Sequence, residues 1–198
     1  TRHSSRLLKH LDISGKELVA LHEHNEAQRS TSLIERVIAG ERLAYLSDAG
    51  TPTVSDPGFR LVNACIAAEV RVEVVPGPSA VTTALAGSGM PSDAFYFGGF
   101  LPVKSGRRQN VIEEALSRTE TSIFFESPHR IAKTLMLLQE LAPDRLLCVA
   151  RELTKKFETY HRGTAPELLD EFKDKTVKGE ITLLIRGAGK IKKASRKE

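Results

Sequence analysis

Residues 41–58, ERLAYLSDAGTPTVSDPG, run from an apolar segment, Leu43 to Leu46, into a turn of Asp, Gly, Thr, Pro and Ser, and then to a helix start at Asp56-Pro57. Twelve residues further on the pattern repeats: the apolar segment RVEVVP reaches a second turn, Pro76-Gly77-Pro78-Ser79, that opens another helix rich in small residues. Apolar strands that alternate with helices predict parallel βαβ units. Ligands of such sheets sit where the strands end and these turns begin, so two open turns in succession predict one binding crevice. Gly50 permits close backbone approach, Pro52 fixes the turn, and Asp56 with Pro57 reads as an N-cap and first-turn pair. Turn chemistry alone would also account for these residue types.

Outward from this core the same periodicities organise the chain. SSRLLKHL reads as a short helix, LVALHEH as a strand, and EAQRSTSLIERVIAG as a helix with Leu33, Ile34, Val37 and Ile38 at helical spacing, ended by Gly40. Ser88 to Asp93 is rich in breakers and reads as a linker. Beyond it the expected elements are the strand FYFGGF, a helix from Gln109 to Ser117, the strand TSIFFES, a helix from Pro128 to Leu141 and the strand RLLCVAREL. FETYHRG and GEITLLIRG follow as strands around the helix APELLDEFK, a pattern that predicts a mixed sheet. The expected fold is therefore α/β in two domains, 1–88 with a mostly parallel sheet and 94–188 with a mixed sheet, followed by a basic tail, 189–198.

The 198 residues are 40% hydrophobic, ample for packed cores, and no apolar run approaches a membrane span. The start, Thr1-Arg2-His3, has no initiator Met or signal peptide, which reads as a cytosolic chain lacking its beginning. The net charge of +4 equals that of Lys190 to Glu198 alone, leaving 24 residues of each sign in the other 189. Two local clusters follow predicted strands: Lys104, Arg107 and Arg108, then Arg151, Lys155, Lys156 and Arg162. Cys65 and Cys148 lie in apolar stretches and read as buried thiols. His22 and His24 would share a strand face, with no acidic or Cys cluster beside them to complete a metal site.

Neither turn contains a dinucleotide or P-loop signature. Residues 47–58 and 76–90 contain no Lys or Arg. A cofactor with several phosphates would want cations or a glycine nest here. S-adenosylmethionine carries a positive sulfonium and no phosphate, so it fits such turns, as other small polar ligands would.

SDAGTPTVSDPG, PGPSAVTTALAGSGMPSDAFYFGGFLP, FFESPHRI, CVARELTKKFE and GEITLLI, in this order, closely resemble the tetrapyrrole methylase superfamily of S-adenosylmethionine enzymes. FGGFLP and ARELTKKFE point to its ribosomal RNA branch. The resemblance implies a bacterial, cytoplasmic, homodimeric enzyme that methylates the ribose 2'-oxygen of a cytidine in the decoding region of small-subunit RNA. It also implies two α/β domains with the cofactor between them. Cofactor contacts would fall on Thr51, Val54, Ser79 and Ala80, and on Phe124, Glu126, Ala150, Glu180 and Ile181. Members of the family begin with a strand and a Pro-Gly-Asn turn ahead of Thr-Arg-His, where this sequence starts.

Methyl transfer from a sulfonium requires in-line placement of the hydroxyl and help in losing its proton. Glu126, His129 and Glu152 could take that proton, although each also has a structural explanation in caps, packing or ion pairs. Arg107, Arg108, Lys155, Lys156 and Arg162 would meet RNA phosphates, with Phe97 and Phe100 as candidate stacking rings. Two rival readings remain: methylation of a tetrapyrrole or other small substrate, and a non-catalytic RNA-binding protein.

Overall fold

A computed structural model describes residues 1–172 and 177–189, so the basic tail from Lys190 lies outside the described residues. The chain divides into two compact units, 1–79 and 80–198. The first holds three helices, α1 (Arg2–His10), α2 (Glu26–Ile38) and α3 (Phe59–Ala67). Leu33 and Ile34 of α2 are buried as their spacing requires, while Ile38 is exposed. Gly40 ends the helix as expected: at φ +99° its N–H donates to the Val37 carbonyl at 2.9 Å, and Glu41 N–H donates to Arg36 O at 3.0 Å. These are the two bonds of a Schellman closure.

Helix α3 starts later than Asp56-Pro57 suggests. Its N-cap is Gly58, at φ +122°, and no side chain of the N-cap closes the turn. The cap comes instead from α2: the buried Glu26 carboxylate accepts Gly58 N–H at 2.9 Å and Arg60 N–H at 2.7 Å. A carboxylate at this end also complements the helix dipole. Glu26→Ala should destabilise the first unit by about 2 kcal/mol, because two first-turn donors lose their buried acceptor. Chemical denaturation followed by circular dichroism measures this; unchanged stability would show that water replaces the carboxylate.

The segments expected as strands in the first unit, LVALHEH, LAYLS and RVEVVP, carry no ladder among the described residues. Alternating apolar residues make a strand only when a neighbour supplies backbone partners. Here Leu18, Leu43, Leu46, Val72, Val74 and Val75 stay substantially exposed, the last at 87%. His22 and His24 lie at the turn before α2 with ring centroids 6.1 Å apart.

The second unit contains α4 (Ala80–Ser88), β1 (Phe95–Phe100), α5 (Ser105–Ser117), β2 (Thr121–Glu126), α6 (Ile131–Leu141), β3 (Leu147–Arg151), β4 (Thr159–Gly163), α7 (Ala165–Phe172) and β5 (Ile181–Ile185). Its sheet runs β1-β2-β5-β3-β4: β1 and β2 are parallel, and every other adjacent pair is antiparallel, which is the mixed sheet expected. Alternation along the central strands sorts side chains to two faces. Phe124, Leu183 and Val149 are partners across the sheet and join the core with α5, α6 and α7. Ile123, Leu184 and Cys148 form the next row and pack with Val81, Ala84 and Leu85 of α4. Burial pushes the Cys148 thiol up to about 11, whereas Cys65, expected to be buried, is only partly so.

Two helix starts differ from expectation. Helix α5 begins at Ser105, four residues early, because Arg108, Ile112 and Ala115 form one buried stripe at spacings of four and three. Helix α6 begins at Ile131, after a turn over 128–130. The segment Ser88 to Asp93 is exposed at Gly89, Pro91, Ser92 and Asp93 but tied at two points: Ser88 Oγ donates to Leu85 O at 2.7 Å, and Thr121 Oγ1 donates to Pro91 O at 2.8 Å.

Candidate functional site

In the first unit the two turns are joined. Thr51 Oγ1 donates to the Pro78 carbonyl at 3.0 Å, and Ser47 Oγ donates to Gly50 O at 2.8 Å. Tyr45 Oη donates to Pro57 O at 2.6 Å, closing the far side of the first turn. Between these ties the backbone is strained: Thr53 (φ +72°) and Ser55 (φ +57°) adopt the left-handed region. A β-branched residue in that region costs on the order of 1–3 kcal/mol, and such strain clusters at ligand sites. Val54 lies between them, 40% exposed. The nearby charges are acidic; burial, and then the charge of Asp48, pushes the Asp56 carboxyl up.

In the second unit the expected residues gather at one end of the sheet. Glu126, Ile181 and Arg151 are register partners, and Thr182 and Ala150 form the next row. This end carries the C-termini of β1, β2 and β3, the side where α/β sheets take ligands. Glu152 and Glu180 lock together there: Glu152 N–H donates to Glu180 O, and Glu180 N–H donates to Glu152 Oε1, both at 3.0 Å. Lys155 Nζ bridges the two carboxylates at 2.8 and 3.0 Å. The Lys155 ammonium and the Glu180 N–H hold the Glu152 carboxyl below the usual carboxylate range. Glu152 (φ +52°) and Thr154 (φ +64°) repeat the left-handed strain of the first unit's turn.

Several expected roles meet a competing one. The Phe124 ring is wholly buried, edge-on to Tyr96, so its side chain belongs to the core. The Ala150 and Ile181 side chains are likewise buried, while the Glu180 side chain is 73% exposed. The Glu126 side chain is fully buried: Oε1 accepts Ser127 N–H and Arg130 Nη2, and Oε2 accepts Thr134 Oγ1, each at 2.7 Å. Three donors already occupy this buried carboxylate, which gives it a structural role that competes with proton transfer. His129 is exposed in the 128–130 turn, and its ring has no hydrogen bond among the described residues.

The cations separate in the same way. Arg162 donates through Nε to Ser88 O at 3.0 Å and through Nη2 to Gly87 O, so it closes the C-terminus of α4. Lys155 is spent on the two carboxylates. Lys156 lies over the Phe157 ring at 5.6 Å, Arg107 is exposed, and Arg108 is buried. Sequence reasoning missed Glu26 as the cap of α3, and it missed Arg130 and Thr134 as partners of Glu126. The Glu126–Arg130 spacing of four was the available signal.

The tetrapyrrole (corrin/porphyrin) methylase model matches residues 1–169, and the chain belongs to that family. Methyltransferases of this family use S-adenosylmethionine. Within the family the chain is 47% identical over 190 residues to ribosomal RNA small subunit methyltransferase I of Vibrio cholerae, covering 94% of this chain and 66% of that one. To the protein of the same name from Hydrogenobaculum it is 44% identical, over 93% of this chain and 80% of the relative. The chain thus spans about two thirds of the Vibrio relative's length. The crystal structure of diphthine synthase superimposes with a TM-score of 0.69 at 18% identity, over 92% of this chain and 73% of that one, a likeness of fold. Among the described residues no helix is long and apolar enough to cross a membrane, and no group of three or more His, Cys, Asp or Glu could hold a metal ion.

Proposed function

We propose that this chain is the cofactor-binding and catalytic portion of a methyltransferase that acts on small-subunit ribosomal RNA, at the ribose 2'-oxygen of a cytidine. The observation that carries this reading is the identity of 47% and 44% to two ribosomal RNA small subunit methyltransferases I, sustained over more than nine-tenths of the chain. The joined, cation-free turns support it, since they suit a sulfonium nucleoside better than a polyphosphate. Bound S-adenosylmethionine supplies a methyl already activated for displacement. Thr51, Val54, Ser79 and Ala80 would contact it from the two turns and the helix start that follows them.

The protein's own contribution is to orient the ribose hydroxyl, for which fixed geometry matters most. Of the three candidate bases, Glu126 and Glu152 are held by neighbours, which leaves the His129 imidazole to accept the proton. The working form is a cytoplasmic homodimer that meets the small subunit or its RNA. Transfer of labelled methyl from S-adenosylmethionine to small ribosomal subunits lacking the modification tests the reaction. Incorporation at a cytidine ribose is expected, with His129→Ala slowing it by about a hundredfold. Labelling of a tetrapyrrole in place of RNA would overturn the substrate, and cofactor binding without any transfer would overturn the enzyme.

A further inference from the structure

Arg108 is 8% exposed, yet its Nε is wholly buried without a hydrogen-bond partner, and no carboxylate pairs with its guanidinium among the described residues. A buried guanidinium normally has an anion against it. Its position says where that anion would come from. Arg108 lies in the opening turns of α5, and helical side chains lean toward the N-terminus of their own helix. The N-cap, Lys104, makes no side-chain cap, and the first turn holds no acidic residue.

The charge here runs against the usual preference. Helix N-termini favour anions, yet this one gathers Lys104, Arg107 and Arg108. The first-turn N–H groups have no acceptor within a helix. The Cβ position of Gly106 faces open space, with nothing within 4 Å. Two exposed cations, Lys104 and Arg107, the first-turn N–H groups and the buried Arg108 guanidinium thus gather donors and positive charge at one helix start. Phe100, 61% exposed at the end of β1, opens the connection into this helix with a ring that a base could stack on.

We propose that the N-terminal turn of α5, backed by Arg108, is a subsite for a backbone phosphate of single-stranded RNA. The choice of RNA over a free phosphate rests on the function proposed above; the anion site does not. An oxygen of the monoanionic phosphodiester would accept from the guanidinium and from the first-turn N–H groups, the arrangement that recurs at phosphate-binding helix starts.

The test uses the whole chain with two probes, inorganic phosphate and a single-stranded hexaribonucleotide. In nitrogen-15 spectra, phosphate should shift the Arg108 Nε–H signal and the Gly106 amide saturably, and Arg108→Met should abolish the effect. For the oligonucleotide, Arg108→Met should weaken binding at least tenfold and reduce the slope of log affinity against log salt by about one. Gly106→Asp keeps the fold even if Arg108→Met does not, since Asp suits a first helical turn. It should weaken the oligonucleotide similarly, whereas Gly106→Asn should not. Absence of a saturable phosphate shift overturns the site. Phosphate binding with RNA affinity unchanged in Gly106→Asp overturns the RNA assignment. Loss of methyl transfer in the wild type alongside intact shifts would instead sink the function proposed above and leave the subsite standing.

Discussion

Glu126→Ala should lower the stability of the sheet unit by about 4 kcal/mol, the scale expected when one member of a buried ion pair is removed. The carboxylate is fully buried and satisfies three donors from β2's end and the start of α6. Its removal leaves the Arg130 guanidinium, 21% exposed and already carrying one unpartnered nitrogen, without a counter-charge. The Thr134 hydroxyl, on a fully buried residue, loses its acceptor as well. Thr134→Val removes only one of the three bonds and should cost about 1 kcal/mol. Thermal unfolding should show the larger loss as a fall in midpoint of roughly 10 °C. If Glu126→Ala folds as stably as wild type but no longer transfers methyl, the carboxylate is chemical rather than structural, and the proton would pass to Glu126 instead of His129.

Gly98→Ala should be nearly as damaging, at about 3 kcal/mol, through overpacking. A Cβ there would overlap Phe124 Cε1 and come within 2.8 Å of Phe124 Cδ1 and 3.0 Å of Tyr96 Cε1. The Phe124 ring has no exposed side toward which to retreat. Gly98 also sits where β1 slips against β2: Phe97 pairs with Ile123, but Phe100 pairs with Phe125, so β1 carries one extra residue. Gly99 absorbs that bulge at φ +68°. The bulge sets the exit of β1 toward the basic start of α5. Urea denaturation should show the loss, and Gly98→Ala with Phe124→Leu should recover part of it, because the smaller side chain vacates the overlap. No recovery would place the defect in the backbone rather than in the ring contact.

Much of the second unit was legible because its signals are local. The runs FYFGGF, TSIFFES, RLLCVAREL and GEITLLIRG are bounded by breakers and form strands, and the helices between them show an apolar stripe. The turns SDAGTPTVSDPG and PGPS were recognisable by residue type alone, and the Thr51–Pro78 bond shows that they meet. Strand pairing was not legible in the first unit, where LVALHEH, LAYLS and RVEVVP alternate adequately but find no partners. Side-chain commitments were equally hidden. Arg162 and Arg108 look alike in sequence, yet one closes α4 through carbonyls remote in the chain and the other is buried without an acceptor. Glu126 reads as a base in FFESPHRI until its three partners are placed around it.

Residues a few positions apart, or their order, carry the helix periods, the strand runs of the second unit, the two cation-free turns and the family. Which charges are free to act emerges when distant segments pack. Pairing between residues 20 to 80 positions apart, such as Glu26 with Gly58 or Arg162 with Ser88, depends on how the chain closes on itself. No local pattern encodes that closure.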